Sequence, residues 1–164
     1  MKKALIVIDM QNVCVGKNHN KFFNYNDNLI DIINNLIKEN DTVIYIRNLM
    51  KDNFLNKLAP VHVFDGTEES KLADELLIKD DIIFGKYKGD AFTNPELLNY
   101  LLNNNIDTIE IVGVDGGGCV SLTALGGLKN GLDVILNTNA IGTILEKKQK
   151  KYYKVLKEKG AKFK

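Results

Sequence analysis

The run Ala4-Leu-Ile-Val-Ile8 is apolar at every position and stops at Asp9. A strand with one wet face alternates apolar and polar residues, so a run without polar positions suits the centre of a parallel sheet covered by helices on both faces. The rest of the chain keeps to that plan. Leu29, Ile32, Ile33, Leu36 and Ile37 recur at helical spacing, Asn40 follows them, and Thr42–Ile46 returns to β-rich sequence. Ile82–Phe84 predicts a short strand, and Asn94 caps a helix with Pro95 at its first position and Leu97, Leu98, Leu101 and Leu102 turned inward. Thr108–Val114 is a strand and Gly116–Gly118 a turn. Cys119–Lys129 is a helix stopped by Gly131, Val134–Leu136 a strand, and the last helix runs from about Leu145 to Lys159. This alternation predicts a single α/β domain over residues 1–164, three-layered and doubly wound around a mostly parallel, Rossmann-like sheet with right-handed crossovers. Arg47–Thr67, aperiodic and holding Pro60 and Gly66, predicts a long loop that serves as functional surface, and Glu68–Leu77 a short helix after it.

With 45% hydrophobic and 26% charged residues the chain has the composition of a globular domain. Its 22 basic and 21 acidic residues leave a net charge of +1, which offers no electrostatic pull toward nucleic acid or an anionic membrane. The lysines gathered in the tail (147, 148, 150, 151, 154, 157, 159, 162 and 164) read as a solvated helix face. The first apolar run is too short for a signal segment or a membrane span, and the two cysteines, Cys14 and Cys119, fit free thiols in a reducing compartment. A cytoplasmic protein is expected.

In an open parallel sheet ligands sit beyond the carboxyl ends of the strands. Asp9 closes the first strand, Lys86 follows the short strand at Ile82–Phe84, and Cys119 opens the helix after Thr108–Val114. Each has an ordinary explanation alone: a turn cap, a solvated lysine, a small packing residue. Together they supply a nucleophile, a base and a cation. The thiolate is the attacking species, so a lysine and a helix N-terminus at Cys119 are expected to depress its pKa, while Asp9 takes the thiol proton and returns it to a leaving group. The glycines at 116–118 let backbone N–H groups approach a substrate as an oxyanion hole. A phosphate cradle is the competing reading of glycines before a helix, but no Lys-Ser/Thr pair follows Gly118.

Three segments occur in this order: Ala4-Leu-Ile-Val-Ile-Asp-Met-Gln-Asn12, Lys86-Tyr-Lys-Gly-Asp-Ala-Phe92 and Val112-Gly-Val-Asp-Gly-Gly-Gly-Cys-Val-Ser-Leu-Thr-Ala124. With them the chain resembles the isochorismatase-like cysteine hydrolases over nearly its whole length. The resemblance implies a catalytic triad of Asp9, Lys86 and Cys119. Lys86 rather than Lys88 fits the family's lysine, four residues before Asp90. It also implies a cis Val114–Asp115 peptide, an oxyanion hole made by the N–H groups of Asp115 and Cys119, and a pocket touched by Gln11, Phe92 and Gly118. Its implied reaction is hydrolysis of a non-peptide C–N bond in a small amide or carbamoyl compound through a thioester, and since relatives commonly assemble, a homo-oligomer is expected.

The chain departs from the pattern in three places. Gly116–Gly118 stand where polar residues are usual, which predicts a looser turn or larger pocket, and Asp90 replaces a usual Ser. Nicotinamidases of this family carry a metal site of one Asp and several His, whereas Asp52 and His62 here are too few ligands for zinc. No metal and no cofactor are expected, and His62 is expected to hydrogen-bond a loop. Two rival readings use the same fold: a vinyl-ether hydrolase acting on isochorismate, and a module that binds a metabolite without turnover. Specificity is expected to lie in the loops Gly16–Phe23 and Arg47–Phe64.

Overall fold

In the computed structural model, which describes residues 2–164, six strands form one sheet: β1 (Lys3–Ile8), β2 (Val43–Asn48), β3 (Ile83–Lys86), β4 (Thr108–Val114), β5 (Asp133–Gly142) and β6 (Lys162–Phe163). Their order is β3-β2-β1-β4-β5-β6 and every pairing is parallel. The helices are α1 (Leu29–Glu39), α2 (Phe54–Lys57), α3 (Pro95–Asn103), α4 (Cys119–Lys129) and α5 (Glu146–Glu158). The apolar faces explain the layering. Leu5 and Val7 point toward α1, where Leu29, Ile33 and Ile37 cover them. Ala4, Ile6 and Ile8 point the other way, toward Leu97 and Leu101 of α3, Val120 and Ala124 of α4 and Leu156 of α5. β1 is therefore buried on both faces, as its unbroken apolar sequence requires. The order of strands reverses between β1 and β4, the point where open parallel sheets take their ligands at the carboxyl ends.

The structure corrects the sequence reading in four segments. Glu68–Leu77 is not a helix beyond a 3-10 turn at Glu68–Ser70. Its backbone is instead claimed by the chain after β1, with Asn12 N–H donating to Lys71 O and Ala73 N–H to Met10 O. Tertiary pairing outweighs helix propensity there. The long loop contains α2, capped by Asn53, whose side chain accepts from the Asn56 N–H at 2.9 Å. β5 continues past Leu136 through Asn137, Thr138 and Asn139, whose polarity hides the strand. Asn137 is buried because its amide donates to Glu110 at 2.9 Å. β6, two residues long at the sheet edge, leaves no pattern in sequence. The tail lysines are all exposed, as expected.

One glycine fixes how closely β1 and β4 meet. Gly113 lies where the β4–β5 register shifts, at φ +112°, and a Cβ there would stand 2.1 Å from Ile8 O. Gly113→Ala is expected to cost about 2–3 kcal/mol or more, from left-handed backbone strain and a clash with main chain. Urea denaturation would measure it, and a loss below about 0.5 kcal/mol would show that the strands can part freely there.

Candidate active site

Asp9 directly follows β1 and lies in the left-handed region at φ +53°, a conformation Asp tolerates better than most side chains. Its N–H still donates to Ile46 O of β2, and its carboxyl is 4% exposed. Lys86 is the last residue of β3, not a residue beyond it as expected, and is 1% exposed, whereas Lys88 is on the surface. Cys119 is the first residue of α4, after a turn running from the end of β4.

These three side chains meet. Lys86 Nζ donates to Asp9 Oδ2 at 2.9 Å, to Cys119 Sγ at 3.2 Å and to Asn48 Oδ1 at 3.0 Å, so all three ammonium protons are used. A strand ending at Ile46, as the apolar pattern predicts, misses Asn48. The strand in fact runs on through Asn48, which pairs in register with Lys86. The other carboxyl oxygen, Asp9 Oδ1, is buried with no hydrogen-bond partner among the described residues. Asp9 and the Cys119 thiol lie close enough to influence each other's ionisation.

Burial raises the Asp9 carboxyl above the usual carboxylate range, with Lys86 pulling it back in part. Burial also opposes the Lys86 ammonium, but Asp9 and Cys119 outweigh it and Lys86 is raised. The thiol does not follow expectation. Burial first, and the Asp9 charge second, push Cys119 up to about 12, while Lys86 only partly offsets them. The resting site is thus an ion pair beside a protonated thiol, and the proton must leave as the sulfur attacks. Alkylation of Cys119 by iodoacetamide is expected to keep accelerating above pH 9, where an ordinary thiol levels off near its pKa of about 8.5. A plateau below pH 8 would disprove the raised thiol.

Around the sulfur, Gly118 N–H donates to Asp115 O at 2.9 Å and Val120 N–H to the same oxygen at 3.2 Å. The N–H groups of Asp115 and Cys119 have no acceptor among the described residues. The Val114–Asp115 peptide is cis.

The sequence matches the isochorismatase domain from residue 3 to residue 163. The chain belongs to the isochorismatase family. No sequence among curated proteins matches it. An isochorismatase-like hydrolase from Alkaliphilus metalliredigens superposes with a TM-score of 0.86 at 25% identity, covering 99% of this chain and 94% of its own. N-carbamoylsarcosine amidase from Thermoplasma acidophilum gives 0.82 at 24% identity, covering 100% and 96%. Pyrazinamidase of Pyrococcus horikoshii, described in complex with zinc, gives 0.83 at 25%, covering 100% and 99%.

The residues of this isochorismatase-family chain do not fit such a metal. Asp52 is paired with Lys57 at 2.9 Å, and His62 Nε2 donates to Lys57 O at 2.9 Å while its ring stacks on Phe64. Among the described residues no three His, Cys, Asp or Glu side chains converge.

Of the residues expected to line the pocket, Gln11 is fully buried and committed elsewhere. Its amide donates to Asn48 O and Ser70 O at 3.1 and 2.9 Å and accepts from Asn48 N–H at 2.7 Å, which fixes Asn48 beside Lys86. Phe92 packs against the core under α4, near Gly127. Gly118 keeps its place as the residue before α4. The glycine turn is tight rather than loose. A Cβ on Gly116 would lie 2.3 Å from Thr143 Oγ1, and one on Gly117 2.2 Å from Leu145 O. A cavity of about 380 Å³ is walled by Cys14, Phe23, Tyr25 and Leu29, with Lys17, His19, Asp31 and Glu75 among its polar lining. Cys14 is packed on the α1-side core, and Asp9, Lys86 and Cys119 are not among the residues that line this cavity. The Cys14 thiol is raised by burial, then by the charges of Asp9 and Cys119.

Proposed function

We propose that this chain is a metal-independent cysteine hydrolase that cleaves a non-peptide C–N bond in a small amide or carbamoyl compound. The observation that carries the reading is Lys86 Nζ bonded at once to Asp9 and Cys119, with Asp9 Oδ1 buried and without a hydrogen-bond partner among the described residues. An immobile cation holds base and nucleophile in one geometry, and the unpartnered oxygen is the place for the thiol proton. The family and the amidase names of structural neighbours agree with it.

Asp9 Oδ1 takes the thiol proton as Cys119 Sγ bonds to the carbonyl carbon, so a full thiolate need not accumulate. The carbonyl oxygen becomes an oxyanion, for which the free N–H groups of Asp115 and Cys119 are the donors. Asp9 gives its proton to the nitrogen, the C–N bond breaks, and amine or ammonia leaves behind a thioester. Asp9 then takes a proton from water, the hydroxide oxygen bonds to the acyl carbon, the C–S bond breaks and the thiol regains its proton. Lys86 stays charged throughout and keeps Asp9 from protonating prematurely. Two free thiols, Cys14 and Cys119, support a reducing compartment such as the cytoplasm.

Ammonia release over a panel of small amides and carbamoyl compounds tests the reading, with mass spectrometry of the protein during turnover. An acyl adduct on the Cys119 peptide is expected. Absence of turnover across the panel, together with a co-purifying metabolite, would favour a binding module, and pyruvate release from isochorismate would favour the vinyl-ether hydrolase.

A further inference from the structure

The catalytic sequence above uses the Asp115 N–H but leaves its carboxylate idle. That carboxylate accepts three main-chain hydrogen bonds: Oδ1 from Gly117 N–H at 2.7 Å, and Oδ2 from Ile144 N–H at 2.5 Å and Leu145 N–H at 3.4 Å. The first donor lies in the turn before Cys119 and the other two lie between β5 and α5, so one side chain ties two separate segments together. Other bonds converge on the same seam. Gly116 N–H donates to Gly142 O at 2.9 Å, and Ser121 Oγ donates to Gly116 O at 2.6 Å.

A negative charge here needs a reason, because it opposes an oxyanion forming on the neighbouring N–H groups. Three consecutive glycines supply one: such a backbone has the largest conformational freedom of any sequence, so its geometry has to be imposed by its neighbours. Donors stabilise an oxyanion only when fixed in advance. Charge-assisted bonds from a carboxylate to main-chain N–H groups are strong enough to fix them, and accepting three disperses its charge. We propose that the Asp115 carboxylate is a positioning group that clamps the glycine turn onto the β5–α5 junction and so sets the oxyanion donors for catalysis. The catalytic half of this inference rests on the hydrolase reading; the clamp itself does not.

The test compares Asp115→Ala and Asp115→Asn with the unaltered protein in three measurements: kcat and KM on the best amide of the panel, iodoacetamide alkylation of the Cys119 peptide, and amide hydrogen exchange. For Asp115→Ala, kcat is expected to fall about 10²–10³-fold, the loss typical of a disabled oxyanion hole. KM and the alkylation rate should stay within about threefold, because the thiol and its ion pair are untouched. Exchange at Gly117, Ile144 and Leu145 should quicken by about tenfold or more as their acceptor disappears. Asn retains one acceptor oxygen, so Asp115→Asn should recover part of kcat, and it provides the reading if the alanine variant does not fold. Unchanged exchange overturns the clamp. Faster exchange with unchanged kcat, or alkylation falling in step with kcat, overturns the positioning role. If the unaltered protein turns over no amide, the hydrolase reading and the catalytic half fall together, and exchange alone decides the clamp.

Discussion

Lys86→Met is expected to lose about 3–5 kcal/mol of folding stability and all measurable turnover, a double loss that separates Lys86 from a surface lysine. The ammonium is buried, and its removal leaves the Asp9 carboxyl buried without its cation, the circumstance in which breaking an ion pair costs most. Met fills much the same volume, so the loss would come from charge rather than from a cavity. The carboxyl would escape by holding a proton, and a protonated Asp9 cannot accept the thiol's. Asp9→Asn in the Lys86→Met background should restore much of the stability, since it removes the stranded charge, and none of the activity. Chemical denaturation and ammonia release measure the two quantities separately. Stability within about 1 kcal/mol of the parent in the single variant would mean that Asp9 does not need Lys86, and the electrostatic account of the site would fail.

The residues at the strand ends were legible because topology alone places them. A run as apolar as Ala4–Ile8 has to be a central strand, its first polar residue has to emerge at the crevice, and the helix after β4 has to begin there too. Asn48 escaped for the converse reason. Arg47 and Asn48 are polar and read as loop, yet pairing between Asn48 and Lys86 extends β2 by main-chain bonds that depend on no apolar pattern. Gln11, read as a pocket residue, turns out to hold Asn48 in place from below the site. The glycines at 116 and 117 invited the expectation of slack, but what selects glycine there is the close approach of Thr143 and Leu145, contacts made across more than twenty residues of chain. The thiol is the sharpest case. A cysteine, a lysine and a helix N-terminus in sequence suggest an acidic thiol. The fold adds burial and a carboxylate on the same sulfur, and both act in the opposite direction.

That raised thiol has to give up its proton as it attacks. Cys119→Ala is expected to lower amide turnover by about 10⁴-fold or more, since the proposed nucleophile is gone. Cys119→Ser is expected to fail nearly as completely. A hydroxyl yields its proton less readily than a thiol, and the one ammonium bonded to residue 119, that of Lys86, is shared with Asp9 and Asn48. Both variants should keep stability within about 1 kcal/mol, because the Asp9–Lys86 pair survives in each and only a partly buried group changes. The contrast with Lys86→Met is what discriminates. If thiol and ammonium act as nucleophile and electrostatic anchor, one removal is silent in denaturation and the other is not, though both are inactive. Ammonia release by Cys119→Ala within about tenfold of the parent would mean that water is activated without a covalent step, and Asp9 alone would have to carry the reaction.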